Sequence, residues 1–465
     1  MSSACDFLVI GAGPAGMAAA ATAAKLGVAT LLLDEQPEPG GQIYRGIESR
    51  GQAGVDKPGV SQADSARGLR LVQEFRASGA GYQAATQVWQ LEAGGKVYVT
   101  DGERASCISA RRVLLATGAM ERPVPLPGWT LPGVMTVGAA QILYKTSQWL
   151  PPEATWIAGS GPLLWLYAAQ VIEASGAGGH IAGILDTTPK SNYAHALRYT
   201  AGALRNRAYL DRGMALQKMV RKAGVRIIKD VSAVEIKGEG HVSTIRYHVG
   251  GHWREETVAM LLLHQGVVPN VHATRSLGAK HQWDALQRSF APEVDAWGNI
   301  SVEGYAAAGD CAGIVGAEAS ALQGKLAALE AARAIGVIAQ AQRDVEAAPL
   351  RAELTKHLPV RPFLDQLFAP RASLLVPRDN VLVCRCESIT ARQLRDAVGL
   401  GAMGPNQVKA FTRCGMGPCQ GRLCGLAAAE VIAAARGVGM AETGVFNVRP
   451  PLKPVSLGEL AGLEV

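Results

Sequence analysis

Five cysteines near the C-terminus carry the first chemistry legible in this chain. The stretch VLVCRCESIT supplies Cys384 and Cys386, and after 27 intervening residues TRCGMGPCQGRLC supplies Cys414, Cys419 and Cys424. Four thiolates can hold zinc or an iron-sulfur cluster. Zinc sites favour two CxxC knuckles, whereas CxC followed by Cx4C is unusual for them, so the pattern points to iron-sulfur with zinc as the alternative. Pro418 suits the first turn of a helix, which would set Cys419 where free N–H groups favour a negative cluster. Cys424 would then lie about 140° further round that helix and about 7.5 Å along it, facing elsewhere. The expected metal ligands are therefore Cys384, Cys386, Cys414 and Cys419, with Cys424 a buried free thiol. Gly415 and Gly417 let the connecting loop fold over the sulfurs and present N–H donors to them. Cys5, Cys107 and Cys311 are scattered and read as core or surface thiols.

The opening stretch DFLVIGAGPAG offers a different chemistry. Gly11, Gly13 and Gly16 form GxGxxG directly after a strand pattern, with Pro14 and Ala15 opening an Ala-rich helix. The first glycine permits a tight turn, the second lets a pyrophosphate approach the backbone, and the third lets helix and strand touch. An acid at the end of the next strand, about 20 residues on, accepts from a ribose hydroxyl; Glu35 fits best, with Asp34 the neighbouring choice. Three later segments fit the same site. GGQIYR places Gly41 and Gln42 where backbone can pass beneath a flavin ring, and Ala116, Thr117 and Gly118 end a strand. Gly309 and Asp310, in AAGDCAG, stand where a strand meets a helix, so that Asp310 can accept from a ribityl hydroxyl or act as a plain helix cap.

Two βαβ units must position these groups, one over Asp6 to Glu35 and the other over Thr155 to Asp186. The second repeats the turn with Gly159 and Gly161 but has Leu164 in the third position. A Leu there pushes the helix away, so pyrophosphate is held less closely; NAD(P) at this site is doubtful, although Asp186 could still meet a ribose. The expected order is a discontinuous first nucleotide domain (1–122 and 290–341), a second one (123–289), a linker wrapping the outside (342–379), a compact cysteine module (380–440) and an extended tail (441–465). His264 is the nearest acid/base candidate outside these motifs, and a satisfied surface histidine is the simpler reading.

Composition excludes several classes. A chain of 465 residues with 48% hydrophobic content supports two or three cored domains. No stretch of eighteen apolar residues and no secretory leader are legible, so neither a membrane span nor export is expected, and the clustered cysteines fit a cytoplasmic chain. The net charge of +7 comes from Lys and Arg spread along the sequence, a solvated basic surface and not a nucleic-acid interface.

Taken in order, the GxGxxG turn, GGQIYR, ATG and AAGDCAG resemble the two-domain flavoproteins of the glutathione and thioredoxin reductase class, over roughly residues 5–335. That resemblance implies an α/β fold and FAD. It breaks on one point: those enzymes carry a close cysteine pair beside the flavin, and neither GGQIYRGIE nor residues 155–186 contains a cysteine. The terminal module, about 381–437, resembles the bacterioferritin-associated-ferredoxin type of helical [2Fe-2S] domain. Together with LPGVMTVGAAQ at 131–141, the whole is similar to the α chains of bacterial heteromeric amine dehydrogenases, a group with opine oxidases, hydroxyproline and proline dehydrogenases, hydrogen cyanide synthase and the sarcosine oxidase α chain. The resemblance implies one component of an FAD-dependent oxidoreductase that acts on CH–NH or CH–NH2 donors. It also implies two partners, a catalytic FAD-bearing β subunit related to D-amino-acid oxidase, and a small γ subunit. No acid/base constellation for substrate chemistry is visible in this chain, so no catalytic residue is expected in it.

Overall fold

A computed structural model describes residues 3–52, 60, 62–176 and 178–463. Parts of the expected first domain (1–2, 53–59 and 61), of the second (177) and of the tail (464–465) lie outside the described residues.

The first sheet grows from the strand Ser3–Ile10, whose FLVI run is buried on both faces as a central parallel strand must be. Thr30–Leu33 and Gly81–Gln83 pair on one side, and Ala105–Leu115 pairs on the other with Ile10 opposite Leu115. Ala105–Leu115 also takes Tyr305–Ala307 in parallel, and the antiparallel hairpin Gln87–Glu92 and Lys96–Thr100 extends the sheet beyond it. The helices Pro14–Lys25 and Ala317–Ile335 cross on one face, their Ala-rich surfaces allowing close approach. A Cβ added at Gly324 would lie 2.1 Å from the Ala15 carbonyl oxygen, so only glycine fits at this crossing.

Two short antiparallel strands, Ala119–Glu121 and Val267–Pro269, carry the chain out of this domain and back. The buried Arg122 guanidinium fastens the junction, donating to the carbonyls of Gln265 (3.2 Å), Arg288 (2.9 Å) and Gln287 (2.7 Å). Beyond it lies a five-stranded parallel sheet in the order Arg226–Lys229, Ile181–Asp186, Thr155–Ser160, Met260–Gln265, Val134–Thr136. A three-stranded antiparallel sheet, Ala233–Lys237, Thr244–Val249 and His252–Thr257, shares a core with it through Trp156, Leu185, Ile245 and Tyr247.

Residues 342–379, expected as a linker, are largely helical: Gln340–His357, Arg361–Leu367 and Ala372–Leu375. Their apolar residues are spread over contacts with several neighbours, which weakens the periodicity seen in sequence. The cysteine module is helical as expected, with the hairpin Leu382–Cys384 and Ile389–Thr390 followed by helices Ala391–Gly399, Pro405–Thr412 and Gly425–Arg436 around Val383, Leu394, Val408, Val431 and Ile432. The Arg288–Glu430 ion pair (2.9 Å) joins that module to the body. The tail then returns to the first sheet. Leu452 N–H donates to the Trp89 carbonyl at 2.7 Å, Lys453 pairs with Glu35, and Val455, Leu460 and Leu463 pack on Trp89 and Tyr98. Among the described residues no helix is long and apolar enough to cross a membrane.

Candidate functional site: two glycine turns and a thiol cluster

At the first turn, backbone touches backbone. Gly11 has φ +105°, and a Cβ there would sit 2.5 Å from the Ala116 oxygen, while one at Gly16 would sit 1.8 Å from the Gly11 oxygen. Gly13 and Gly41 face each other, since a Cβ on Gly41 would meet the Gly13 Cα at 2.8 Å, and the Gly40 N–H donates to the Ala12 carbonyl at 2.8 Å. The helix begins with Pro14 at its first position and Gly13 as a cap without a side chain, so its first N–H groups, including those of Ala15 and Gly16, are offered to a ligand. This bare cradle fits a pyrophosphate. Asp34, not Glu35, is the acid at the turn. Its Oδ2 accepts from Ala12 N–H and its Oδ1 from Gln36 N–H at 2.8 Å, and burial raises its carboxyl above the usual range against the pull of those two donors. Glu35 turns outward to Lys453, because the strand stops at Leu33 and Asp34 is the residue that follows the turn inward.

The remaining predicted residues gather around the same turn. Gln42 accepts from Arg45 at 3.1 Å, and Ala116 N–H donates to the Ile10 carbonyl at 2.8 Å. Thr117 Oγ1 donates to the Asn270 carbonyl at 3.1 Å, and Asn270 N–H to the Gly118 carbonyl at 3.0 Å. Gly309 N–H donates to Gln323 Oε1 at 2.9 Å, and a Cβ on Gly309 would meet the Ala15 Cβ at 3.0 Å. Asp310 Oδ1 accepts from the N–H groups of Val315 (2.8 Å) and Gly316 (2.9 Å), which precede the helix Ala317–Ile335; Gly316 is the cap of that helix, so Asp310 is not the plain helix cap that its position also suggested.

The second turn is arranged differently. Leu164 is fully buried in the core of that domain with Ile157 and Leu262. His264, expected at the surface, is buried: its Nδ1 lies 2.6 Å from Glu121 Oε1, and its Nε2 stands 2.8 Å from where a Gly161 Cβ would be. The other Glu121 oxygen accepts from Gly138 N–H at 2.7 Å. The mouth of the turn is spanned by the chain itself. Ser160 Oγ reaches the Phe368 carbonyl at 3.4 Å and Thr188 Oγ1 at 2.9 Å. Asn192 Nδ2 donates to the carbonyls of Leu367 (3.1 Å) and Ala369 (3.0 Å), and Arg371 pairs with Asp230. Asp186 is buried and accepts from Thr188 N–H at 3.0 Å.

The five thiols fall into two groups. Cys384, Cys414 and Cys424 are buried with their sulfurs within 4.8 Å of one another, Cys414 and Cys424 at 3.9 Å. Cys386, exposed, and Cys419, half-buried, lie 3.7 Å apart. A tetrahedral metal about 2.3 Å from two thiolates separates their sulfurs by about 3.8 Å, so each group can clasp a metal. Cys384 is held far below the usual thiol range, at about 2, because Cys414 and Cys424 donate to it, while the same contacts hold those two up. The helix expected from Pro418 does not form there. Pro418 to Cys424 is a series of turns through left-handed Gln420 (φ 52°) and Gly421 (φ 75°), and the helix starts at Gly425. Cys424 is thereby brought back to Cys384 and Cys414 and does not face elsewhere.

Comparison with known proteins places these features. The pyridine nucleotide-disulphide oxidoreductase family model matches residues 5–342, and the sarcosine oxidase A3 domain matches 379–463. The opine oxidase A-subunit of Rhizobium meliloti (strain 1021) is 40% identical over 98% of each chain. The chain belongs to the opine oxidase A-subunit family. Hydrogen cyanide synthase subunit HcnB of Pseudomonas aeruginosa is 31% identical, again over 98% of each chain. The crystal structure of L-proline dehydrogenase from P. horikoshii shares the fold, with TM-score 0.69 at 20% identity over 99% of this chain and 80% of that one.

In this relative of the opine oxidases, sequence reasoning missed Lys145. Its Nζ donates to the carbonyls of Gln42 and Ile43, both at 3.0 Å, and to Gln141 Oε1 at 3.2 Å, tying the Gly-Gly-Gln segment to the helix Val137–Ser147. Burial, with Arg50 nearby, pulls its ammonium down to about 7. Its one sequence signal is a lysine one turn after Gln141 on the face of the helix that also carries Val137 and Ala140. Glu121 and the Leu367–Arg371 span were equally invisible, since their partners lie 143 (His264) and 208 (Ser160–Phe368) residues away in sequence.

Proposed function

We propose that this chain is the electron-transfer subunit of a heteromeric amine dehydrogenase acting on opines, hydroxyproline or a related secondary amino acid. It takes electrons from a catalytic FAD-bearing β subunit, with a small γ subunit in the assembly, and passes them to an acceptor. The observation that carries the reading is the pairing of a glycine cradle shaped for a dinucleotide with a module of clustered thiols in one chain. FAD fits the cradle, where the N–H groups of Ala15 and Gly16 face the pyrophosphate, Asp34 the ribose, Gly41 and Gln42 the ring, and Asp310 the ribityl chain. A [2Fe-2S] cluster fits Cys384 and Cys414 on one side and Cys386 and Cys419 on the other, with Cys424 packed against the first pair. Paired, a flavin and such a cluster divide a two-electron equivalent into single electrons. The protein's own part is to hold them, and no residue here is assigned a proton transfer to or from the amine. Eight cysteines with no disulfide among the described residues support a cytoplasmic setting.

The likeness to a hydrogen cyanide synthase component favours a second reading, a glycine-oxidising complex, at lower identity. A stand-alone NAD(P)H reductase is disfavoured, because Phe368 and its neighbours span the second turn. Purification with the products of neighbouring genes tests the reading, with flavin, iron and labile sulfide measured. Opines, D-hydroxyproline, proline, sarcosine and glycine are then offered with an artificial acceptor. Flavin, iron and sulfide in the complex, with turnover of an opine or a secondary amino acid, are expected. A colourless assembly, or zinc in the thiol module, overturns it.

A further inference from the structure

Between the hinge strands and the cysteine module lies a cavity that no motif above uses. Met120, Val268 and Pro269 form one apolar wall, and Leu426, Phe446 and Val448 the other. Five polar residues interrupt this surface: Arg275, Arg422, His272, Ser289 and Gln420. Ser289 is 2% exposed and its Oγ has no hydrogen-bond partner. Arg275 Nη2 and His272 Nδ1 are buried and unpartnered as well. Buried polar groups are nearly always satisfied, so three orphans lining one cavity point to a ligand that completes them. The orphans also specify its chemistry. Two guanidiniums line the space and, among the described residues, no carboxylate does, so the ligand is an anion. His272 Nε2 lies 3.3 Å from the Gln420 carbonyl and donates to it, which leaves Nδ1 as an acceptor for a ligand O–H or N–H.

We propose that this cavity binds a small organic anion with an apolar body: Arg275, Arg422 and Ser289 take the carboxylate or phosphate head, and His272 Nδ1 accepts from a hydroxyl or amine on the same molecule. The site is distinct from both glycine turns, and the proposal stands whatever those turns and the thiols hold. A bound molecule touches the loop between Cys419 and Cys424 on one side and the segment following Gly118 on the other.

The probe is 3-hydroxy-2-naphthoate, which has one carboxylate, one hydroxyl and an apolar body, titrated calorimetrically into the purified full-length chain. Its neutral carboxamide serves as the control. The acid binds one-to-one, at least about tenfold more tightly than the amide, as expected for charge-assisted hydrogen bonds. Arg275→Met weakens it by about tenfold or more, and Ser289→Ala by about threefold to tenfold. Ser289→Ala removes a hydroxyl without a partner, so this variant melts at or above the wild-type temperature and reports binding free of misfolding. Acid and amide binding alike, no measurable binding of the acid, or an acid affinity unchanged in Ser289→Ala, overturns the proposal.

Discussion

Gly324→Ala probes the crossing that sets the first glycine turn against Asp310. The added Cβ stands 2.1 Å from the Ala15 oxygen, and ordinary contact begins at 3.4 Å, so the helices must part by about 1.3 Å or bend. Overpacking of this kind costs about 1–3 kcal/mol, and the gain from replacing a helical glycine by alanine returns up to about 1 kcal/mol. The net expectation is a loss of up to about 2 kcal/mol. Because Ala15 opens the helix that faces the pyrophosphate, flavin affinity falls about tenfold with it. Gly213→Ala is the internal control. Gly213 lies within the helix Arg207–Lys222 with nothing within 4 Å of its would-be Cβ, so there the same substitution stabilises by about 0.5–1 kcal/mol. Urea unfolding followed by flavin fluorescence, with free flavin measured after ultrafiltration, reads both. If Gly324→Ala stabilises the chain as Gly213→Ala does, and keeps its flavin, the tight crossing is refuted.

Three further outcomes are expected. Burial holds Lys145 at about 7, against about 10.4 in the unfolded chain; between those values only the unfolded chain binds the proton, so stability rises with pH across that window. Lys145→Met abolishes this rise, and parallel urea midpoints for the two proteins from neutral to alkaline pH would count against it. Serine at Cys384, Cys386, Cys414 or Cys419 removes iron and the visible cluster absorbance, whereas Cys424→Ser retains both; iron lost in Cys424→Ser and kept in Cys414→Ser would put Cys424 in the place of Cys414 beside Cys384. Excess NADH leaves the flavin oxidised under anaerobic conditions, because the Leu367–Arg371 span crosses the mouth of the second turn, and rapid bleaching in a stopped-flow trace would contradict that.

Local signals made both βαβ units legible. DFLVI and TLLL, then TWIAGS and IAGILD, are apolar runs bounded by glycine turns, and the helices between them have the right length. In the cysteine module only GLAAAEVIAAARG reads as a helix from its own residues; the rest of its helical character is what the family resemblance implies. What failed depended on where a chain element ends or on what covers it. The choice between Asp34 and Glu35 turns on the strand stopping at Leu33, a boundary that residue types alone do not fix. Cys424 faces the other buried thiols because Pro418, a residue type that can open a helix, opens none here, and Gln420 and Gly421 turn left-handed instead. His264 reads as polar and hence outside, yet Glu121 compensates its burial from a distant strand. The helices of 342–379 hide behind Pro349 and Pro362 and behind contacts with several neighbours.

The return of the tail has a mechanical consequence. The thiol module is moored before its first cysteine by Trp129, whose Nε1 donates to the Leu382 carbonyl at 2.8 Å, through its last helix by Arg288 and Glu430, and beyond it by Leu452, Lys453 and Leu460 on the first sheet. A carrier domain that shuttles between stations needs a slack leash, and this one has anchors before and after it. In the role proposed above, electrons cross a fixed gap whose width is set once, at folding, and clipping the chain from Leu452 onward would alter that gap without removing any of the five clustered cysteines.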